Sequence, residues 1–254
     1  MTAVGVSGAG GRMGRLVAAA VAEAGDLDLA ALYDPQAGGA TVAGRAVATD
    51  PEAMAGAEVV VEFTRPDVVM DNLATWHRLG VHAVVGTSGF DGVRVAAVEE
   101  LWGDGPSRCL IVPNFSIGAV VMMRLAELAA PHFPAAEIVE LHHDAKADAP
   151  SGTATATAER LAAAAPDQRR AVESHELVPG SRGGDVAGVP VHAIRLPGLV
   201  AHQEVLFGGP GETLTIRHDT TDRAAFLPGV LLGIRAVAGL ASPVTVGLEG
   251  LLGL

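Results

Sequence analysis

Short apolar runs in this chain alternate with stretches whose apolar positions recur every three or four residues, the periods of buried strands and amphipathic helices. Residues 2–6 (Thr-Ala-Val-Gly-Val) form such a run and end in a glycine-rich turn. Over residues 12–24, Met13, Leu16, Val17, Ala20, Val21 and Ala24 share one helical face. Residues 27–33 predict a second strand, stopped by Asp34-Pro35, and the run Val59-Val60-Val61-Glu62-Phe63 predicts a third. A helix is expected over 66–79, and strands over 82–85 and 110–112. Strands that alternate with helices predict a parallel, doubly wound sheet.

The pattern changes near residue 116. Ser116 is placed to cap a helix that runs to Ala130 and stops at Pro131. A strand over 137–141 and a helix over 152–165 follow. Residues 167–190, rich in Pro, Gly and charge, read as a long loop. Three runs (191–196, 199–207 and 212–218) then succeed one another with only Gly/Pro turns between them, which predicts a second, α+β region with an open sheet. Both faces of 199–207 read as partly apolar. Residues 226–240 return to helix, and the tail is free to rejoin the first region.

Of the 254 residues, 49% are hydrophobic, enough for a sizeable core, and the formal net charge of −12 argues against nucleic acid or an anionic membrane as the main partner. A small anionic ligand stays open, because local charge sets a pocket. Cys109 is the single cysteine and sits in an apolar run, so a buried, inert thiol in a reducing compartment is expected. With no leader pattern and no long apolar span, the expectation is a soluble, cytoplasmic protein.

The turn Gly8-Ala9-Gly10-Gly11-Arg12-Met13-Gly14 lies between the first strand and the first helix. Glycines there let backbone amides approach a pyrophosphate, and the helix start adds partial positive charge. Asp34, about 20 residues on, suits the adenine-ribose hydroxyls and disfavours a 2′-phosphate. Arg12 pulls the other way. The expected cofactor is therefore NADH, NADPH or both.

The densest chemistry lies in Glu140-Leu141-His142-His143-Asp144-Ala145-Lys146-Ala147-Asp148-Ala149-Pro150-Ser151-Gly152-Thr153. Two histidines and a lysine precede a helix start, a combination that suits a dicarboxylate and offers a proton donor near neutral pH. A surface loop with incidental histidines and a plain capping serine is the bland reading. The nine histidines show no zinc spacing, so no metal site is expected. His202 reads as structural or as a supporting residue beside the site, Met122 and Met123 as core, and no Gly-x-Ser-x-Gly pattern surrounds Ser7 or Ser151.

This segment resembles the signature of the 4-hydroxy-tetrahydrodipicolinate reductase family, approximately E-x-H-H-x-x-K-x-D-A-P-S-G-T-A. The glycine turn, Glu62-Phe63-Thr64-Arg65-Pro66, Val85-Gly86-Thr87-Ser88-Gly89-Phe90 and Pro113-Asn114-Phe115-Ser116-Ile117-Gly118 are also similar to that family's motifs, in order. The resemblance implies a Rossmann dinucleotide-binding domain from residues 1–115 and 224–254. It also implies a substrate-binding and tetramerisation domain at 116–223 with an open mixed sheet, assembled as a homotetramer. The implied reaction is NAD(P)H-dependent reduction of a cyclic dicarboxylate in lysine and diaminopimelate biosynthesis. His142 would be the acid/base and Lys146 the proton donor and substrate anchor, with His143, Gly152 and Thr153 holding carboxylates. Gly8, Ala9, Gly10, Gly11, Arg12, Met13, Asp34, Gly86, Thr87, Ser88, Val112, Pro113, Asn114 and Phe115 would line the cofactor site. Ala145 stands where many members carry His, which lowers the local positive charge, and Ser88 replaces a common Thr. The alternatives are a related reductase for another cyclic imine and a non-catalytic nucleotide sensor. Only the second would lack an organised proton donor.

Overall fold

The computed structural model describes residues 1–103, 105–167 and 175–254. The chain begins with β1 (Thr2–Ser7), α1 (Arg12–Glu23), β2 (Leu27–Tyr33), a small hairpin of β3 (Thr41–Val42) and β4 (Arg45–Ala46), and β5 (Val59–Glu62). It continues through α2 (Val69–Arg78), β6 (His82–Val85), α3 (Gly92–Trp102) and β7 (Cys109–Ile111). Next come α4 (Ile117–Ala129), β8 (Ala135–His142), α5 (Gly152–Ala164), β9 (Gly184–Val186), β10 (Val189–Arg195), β11 (Ala201–Gly209) and β12 (Glu212–Thr220). The last elements are α6 (Leu227–Ala236), β13 (Val244–Val246) and α7 (Glu249–Leu252). Two compact units result: Met1–Ile117 with Phe226–Leu254, and Gly118–Ala225.

The first unit is built on a six-stranded sheet, ordered β13-β7-β6-β5-β1-β2, with every pairing parallel. All four residues of β5 are buried, as expected for a parallel strand covered on both faces. Leu73 and Trp76 of α2 and Val98 and Trp102 of α3 pack on one side of the sheet in a single core. The tail does rejoin this sheet, because Val244 of β13 pairs with buried Cys109 of β7. Helix α2 starts at Val69, three residues later than the expected 66. Helix α6 is shorter than the expected 226–240 and is flanked by 3-10 turns, Arg223–Phe226 and Val237–Gly239.

The second unit carries a five-stranded mixed sheet, ordered β12-β11-β8-β10-β9, in which β8 and β10 run parallel and the other pairs antiparallel. One face buries Ala136, Ile138, Val191, Val205 and Phe207 against Ala126, Ala154, Ala158 and Leu161 of α4 and α5. Alanines at these helix positions let the helices pack close to the sheet. β11 alternates more cleanly than its sequence suggests: Gln203, Val205 and Phe207 are buried, while His202, Glu204 and Leu206 are half-buried on the open face. Met122 and Met123 are buried as expected, whereas Leu125 and Leu128 are exposed. The loop expected over 167–190 contains β9; its residues 168–174 lie outside the described residues.

Candidate active site

In the first unit, the carboxyl ends of five neighbouring strands each run into a segment singled out by the sequence. β1 leads into residues 8–13, β2 into Asp34, β5 into Phe63, β6 into residues 86–88 and β7 into residues 112–115. Ligands of open parallel sheets bind at this edge. Gly8 has φ +75, and a Cβ there would strike the Phe63 carbonyl oxygen. A Cβ on Gly14 would collide with the Gly8 carbonyl, so the helix can start this close to the turn only without a side chain.

The turn consumes its own amides. Gly8 and Ala9 donate to the Tyr33 carbonyl at 2.9 and 3.2 Å, Gly11 donates to the Gly8 carbonyl at 3.0 Å, and Gly10 donates to Asp34 Oδ2 at 3.0 Å. Gly11 is the N-cap of α1 and supplies no side-chain cap. Arg12 and Met13 therefore occupy the first two helical positions, whose amides point out along the axis. A glycine cradle that a Cβ would fill, beside an uncapped helix start, fits a dinucleotide pyrophosphate. Asp34 Oδ1 also accepts from Gln36 N at 2.9 Å, and each oxygen keeps a lone pair for a ribose hydroxyl.

Behind this edge, Glu62 is fully buried at the end of β5. Its carboxyl accepts from Trp76 Nε1 at 2.9 Å, from Asn72 Nδ2 at 3.2 Å and from the Thr64 hydroxyl. Burial pushes its pKa up, against the lowering effect of these hydrogen bonds. Thr64 N donates to Thr87 Oγ1 at 3.0 Å, and the Phe63 and Phe115 rings lie 5.5 Å apart, so the ends of β5, β6 and β7 are joined. Ser116 N donates to Asn114 Oδ1 at 2.9 Å, which closes the segment after β7.

In the second unit the sheet register sets the chemistry. His142 ends β8, with Arg195 of β10 beside it on one side and Ala201 of β11 on the other. Glu140, two residues earlier on the same face, is fully buried. It accepts from both terminal nitrogens of Arg195 at 2.8 Å, from Ser151 N at 3.0 Å, and pairs with His142 Nδ1 at 2.5 Å. Burial alone would raise the Glu140 carboxyl, but the bonds from His142 and Arg195 overcome it and hold the pKa at about 2.

Beyond the strand, Lys146 Nζ binds both oxygens of Asp148 at 2.8 Å, and this bond lowers the Asp148 pKa. His143 is half-buried, and its carbonyl accepts from Lys146 N at 3.2 Å. Ser151 does cap α5, accepting from Ala154 N at 3.2 Å, and places Gly152 and Thr153 at the first two helical positions. Arg195 also donates to the carbonyls of Lys146 (3.3 Å) and Asp148 (2.5 Å). His142, Lys146 and the start of α5 are thus gathered at one strand end.

Sequence reasoning assigned no role to Glu140, Arg195 or Asp148. The parity of β8 carried a signal, because Glu140 shares the inward face with Ala136 and Ile138 and so needs a buried partner. Both ring nitrogens of His202 are engaged: Nδ1 bonds Asp219 at 2.6 Å and Nε2 accepts from Val200 N at 3.3 Å. Cys109 is fully buried, and burial pushes its thiol pKa up. Among the described residues, no group of three or more His, Cys, Asp or Glu is placed to hold a metal ion.

The chain matches known proteins along nearly its whole length. Family profiles for the N-terminus and C-terminus of dihydrodipicolinate reductase match residues 2–115 and 118–252. The chain is 52% identical to a 4-hydroxy-tetrahydrodipicolinate reductase of Mycobacterium marinum, covering 99% of each. It is also 52% identical to the Thermobifida fusca enzyme of that name, over the full length of both. A solved dipicolinate-bound dihydrodipicolinate reductase from Paenisporosarcina sp. TG-14 is 34% identical, with a TM-score of 0.86, covering 98% of this chain and 99% of that one. A scyllo-inositol dehydrogenase from Lactobacillus casei, 12% identical with a TM-score of 0.61, shares the fold alone. Its glycine turn, its His-His-x-x-Lys segment and these full-length matches mean that the chain belongs to the dihydrodipicolinate reductase family.

Proposed function

We propose that this protein reduces 4-hydroxy-tetrahydrodipicolinate to tetrahydrodipicolinate with NADH or NADPH, in lysine and diaminopimelate biosynthesis. The reading is supported above all by the gathering of His142, Lys146 and the start of α5 at the end of β8. The substrate loses its hydroxyl with one proton as water, then gains a hydride on a ring carbon and a proton on another ring atom. Reduced nicotinamide, when bound, supplies that hydride. Residues 8–13, 86–88 and 112–115 with Asp34 would hold it at the sheet edge.

The protein's own contribution is charge placement and proton handling. Lys146 binds a substrate carboxylate by exchanging its Asp148 partner for it, and stands ready as a proton donor. His142 acts as acid and base from the end of β8. Gly152 and Thr153 hold a carboxylate at the helix start, and His143 assists. The assay that tests this uses pyruvate, aspartate semialdehyde and the upstream synthase to generate substrate, with NADH or NADPH oxidation as the readout. Lys146→Ala and His142→Ala should each lower kcat by about 10²–10⁴-fold with cofactor binding intact. Thr153→Ala should mainly raise KM. Wild-type kcat in both Ala variants would move the site elsewhere. A wild type that ignores this substrate but reduces another cyclic imine would overturn the substrate assignment.

A homotetramer completes the proposal. On the sheet face opposite the helices, Glu137, Val139, His192 and Leu206 line an open pocket of about 650 Å³. Val139 and Leu206 are half-buried there, and a second copy could cover them. Among the described residues, no helix is long and apolar enough to cross a membrane. A cytoplasmic location fits a lone, buried, unpaired cysteine.

A further inference from the structure

Four hydrogen-bond partners surround the Glu140 carboxylate, two on each oxygen. Oε1 faces Arg195 Nη2 and Ser151 N, while Oε2 faces Arg195 Nη1 and His142 Nδ1. Arg195 and a backbone amide can only donate, so three of the four are fixed donors. A fully buried carboxyl beside a guanidinium fork and an amide is ionised, and a pKa held at about 2 agrees. An ionised carboxylate can only accept, so His142 Nδ1 must carry the proton. Nε2 then remains for chemistry, and among the described residues it has no hydrogen-bond partner.

Arg195 extends the arrangement. Its Nε and Nη2 donate to the carbonyls of Lys146 and Asp148, so the fork that holds Glu140 also holds the lysine segment. Glu140 in turn receives the amide of Ser151, the residue that caps α5. We infer that Glu140 and Arg195 form a buried positioning pair, which fixes His142 with its proton on Nδ1, presents Nε2 to the substrate, and tethers Lys146 and the start of α5 to the same strand end. The inference rests on the proposed role of His142 as the proton-handling group. Neither residue of the pair is a catalytic residue; both act through His142 and Lys146.

Glutamine at position 140 makes the consequence specific. Its NH₂ must face one pair of partners. Facing Arg195 Nη2 and Ser151 N, it meets two groups that can only donate. Facing Arg195 Nη1 and His142, it meets one fixed donor and one ring that can switch tautomer. The second orientation is therefore favoured, and it moves the His142 proton to Nε2. A wrong tautomer leaves an acid/base histidine in place but misdirected.

The experiment is nitrogen-15 NMR of histidine-labelled full-length protein at alkaline pH, where the ring carries one proton. His142 is assigned as the signal lost in His142→Asn. The wild type should show the Nδ1–H form, and Glu140→Gln the Nε2–H form, with kcat lowered about 10²-fold or more, KM changed less and NADH affinity kept. Arg195→Lys keeps the charge but loses the fork, and should both lower kcat and raise KM as the Lys146 segment loosens. Should Glu140→Gln fail to fold, the wild-type tautomer and Arg195→Lys still decide the matter. A wild-type His142 in the Nε2–H form overturns the inference, as does an Arg195→Lys enzyme with unchanged kcat and KM. An Nδ1–H ring that switches in Glu140→Gln supports the pair even if His142→Asn retained its kcat, a result that would count against the proposed function alone.

Discussion

At the scale of single residues, Asp34 braces the turn and, in the proposed function, would also meet the cofactor. Its Oδ2 holds the Gly10 amide and its Oδ1 the Gln36 amide, so the carboxylate sits where the sequence places the adenine ribose. A ribose 2′-hydroxyl can donate to it, whereas a 2′-phosphate meets a like charge. Arg12, exposed at the first position of α1, offers that phosphate some compensation. Activity with both cofactors is therefore expected, with NADH equal or better in kcat/KM. Because Asp34 also braces Gly10, Asp34→Ala should weaken both cofactors, and NADH more than NADPH, in a fluorescence titration. A strong wild-type preference for NADPH would contradict this account of Asp34.

At the scale of elements, legibility in the sequence followed the burial pattern. β1, β5 and β6 stand out because parallel strands covered on both faces are continuous apolar runs. Helix α3 does not, since its apolar residues ring the helix and only Val98 and Trp102 are buried. β9, three residues long, carries no pattern of its own. His142 and Lys146 could be picked out because their types and spacing announce chemistry. Arg195 could not, because it meets Glu140 only through the parallel register of two strands that lie about 50 residues apart. That same ion pair predicts acid sensitivity. The Glu140 pKa lies at about 2, below its ordinary value of 4.5, so its stabilisation is complete above the ordinary value and is withdrawn as pH falls from there toward about 2. Asp219, held at about 2 mainly by Arg217 and then by His202, adds to the same window. Thermal melts should show Tm falling steeply over that range. Glu140→Gln should be less stable near neutral pH, because it leaves the Arg195 charge without its carboxylate, and should lose less on acidification. An unchanged acid limb in Glu140→Gln would mean that the pair does not control it.

At the scale of the whole molecule, the sheet of the second unit has one face that the described residues leave half-open. One face is sealed by α4 and α5, while the other carries Val139, Leu141 and Leu206 half-buried among Glu137, His192, His202 and Glu204. Charges on this face are largely matched within the chain: Glu137 with Arg182 and His192, and Arg217 with Glu204 and Asp219. A face whose carboxylates are paired within the chain repels a copy of itself less than the formal net charge of −12 suggests. Closed symmetry lets such a face serve as a self-complementary interface. Such a face pairs two copies, and in the proposed homotetramer it would supply one of the interfaces, so light scattering at micromolar concentration should give four times the chain mass of 25.7 kDa. Leu206→Glu places a new charge on the open face and leaves the buried face, with Val205 and Phe207, untouched. It should lower the assembled mass while far-ultraviolet circular dichroism stays unchanged. A wild-type protein of monomeric mass would remove the proposal, and a tetramer indifferent to Leu206→Glu would place the interface on another surface.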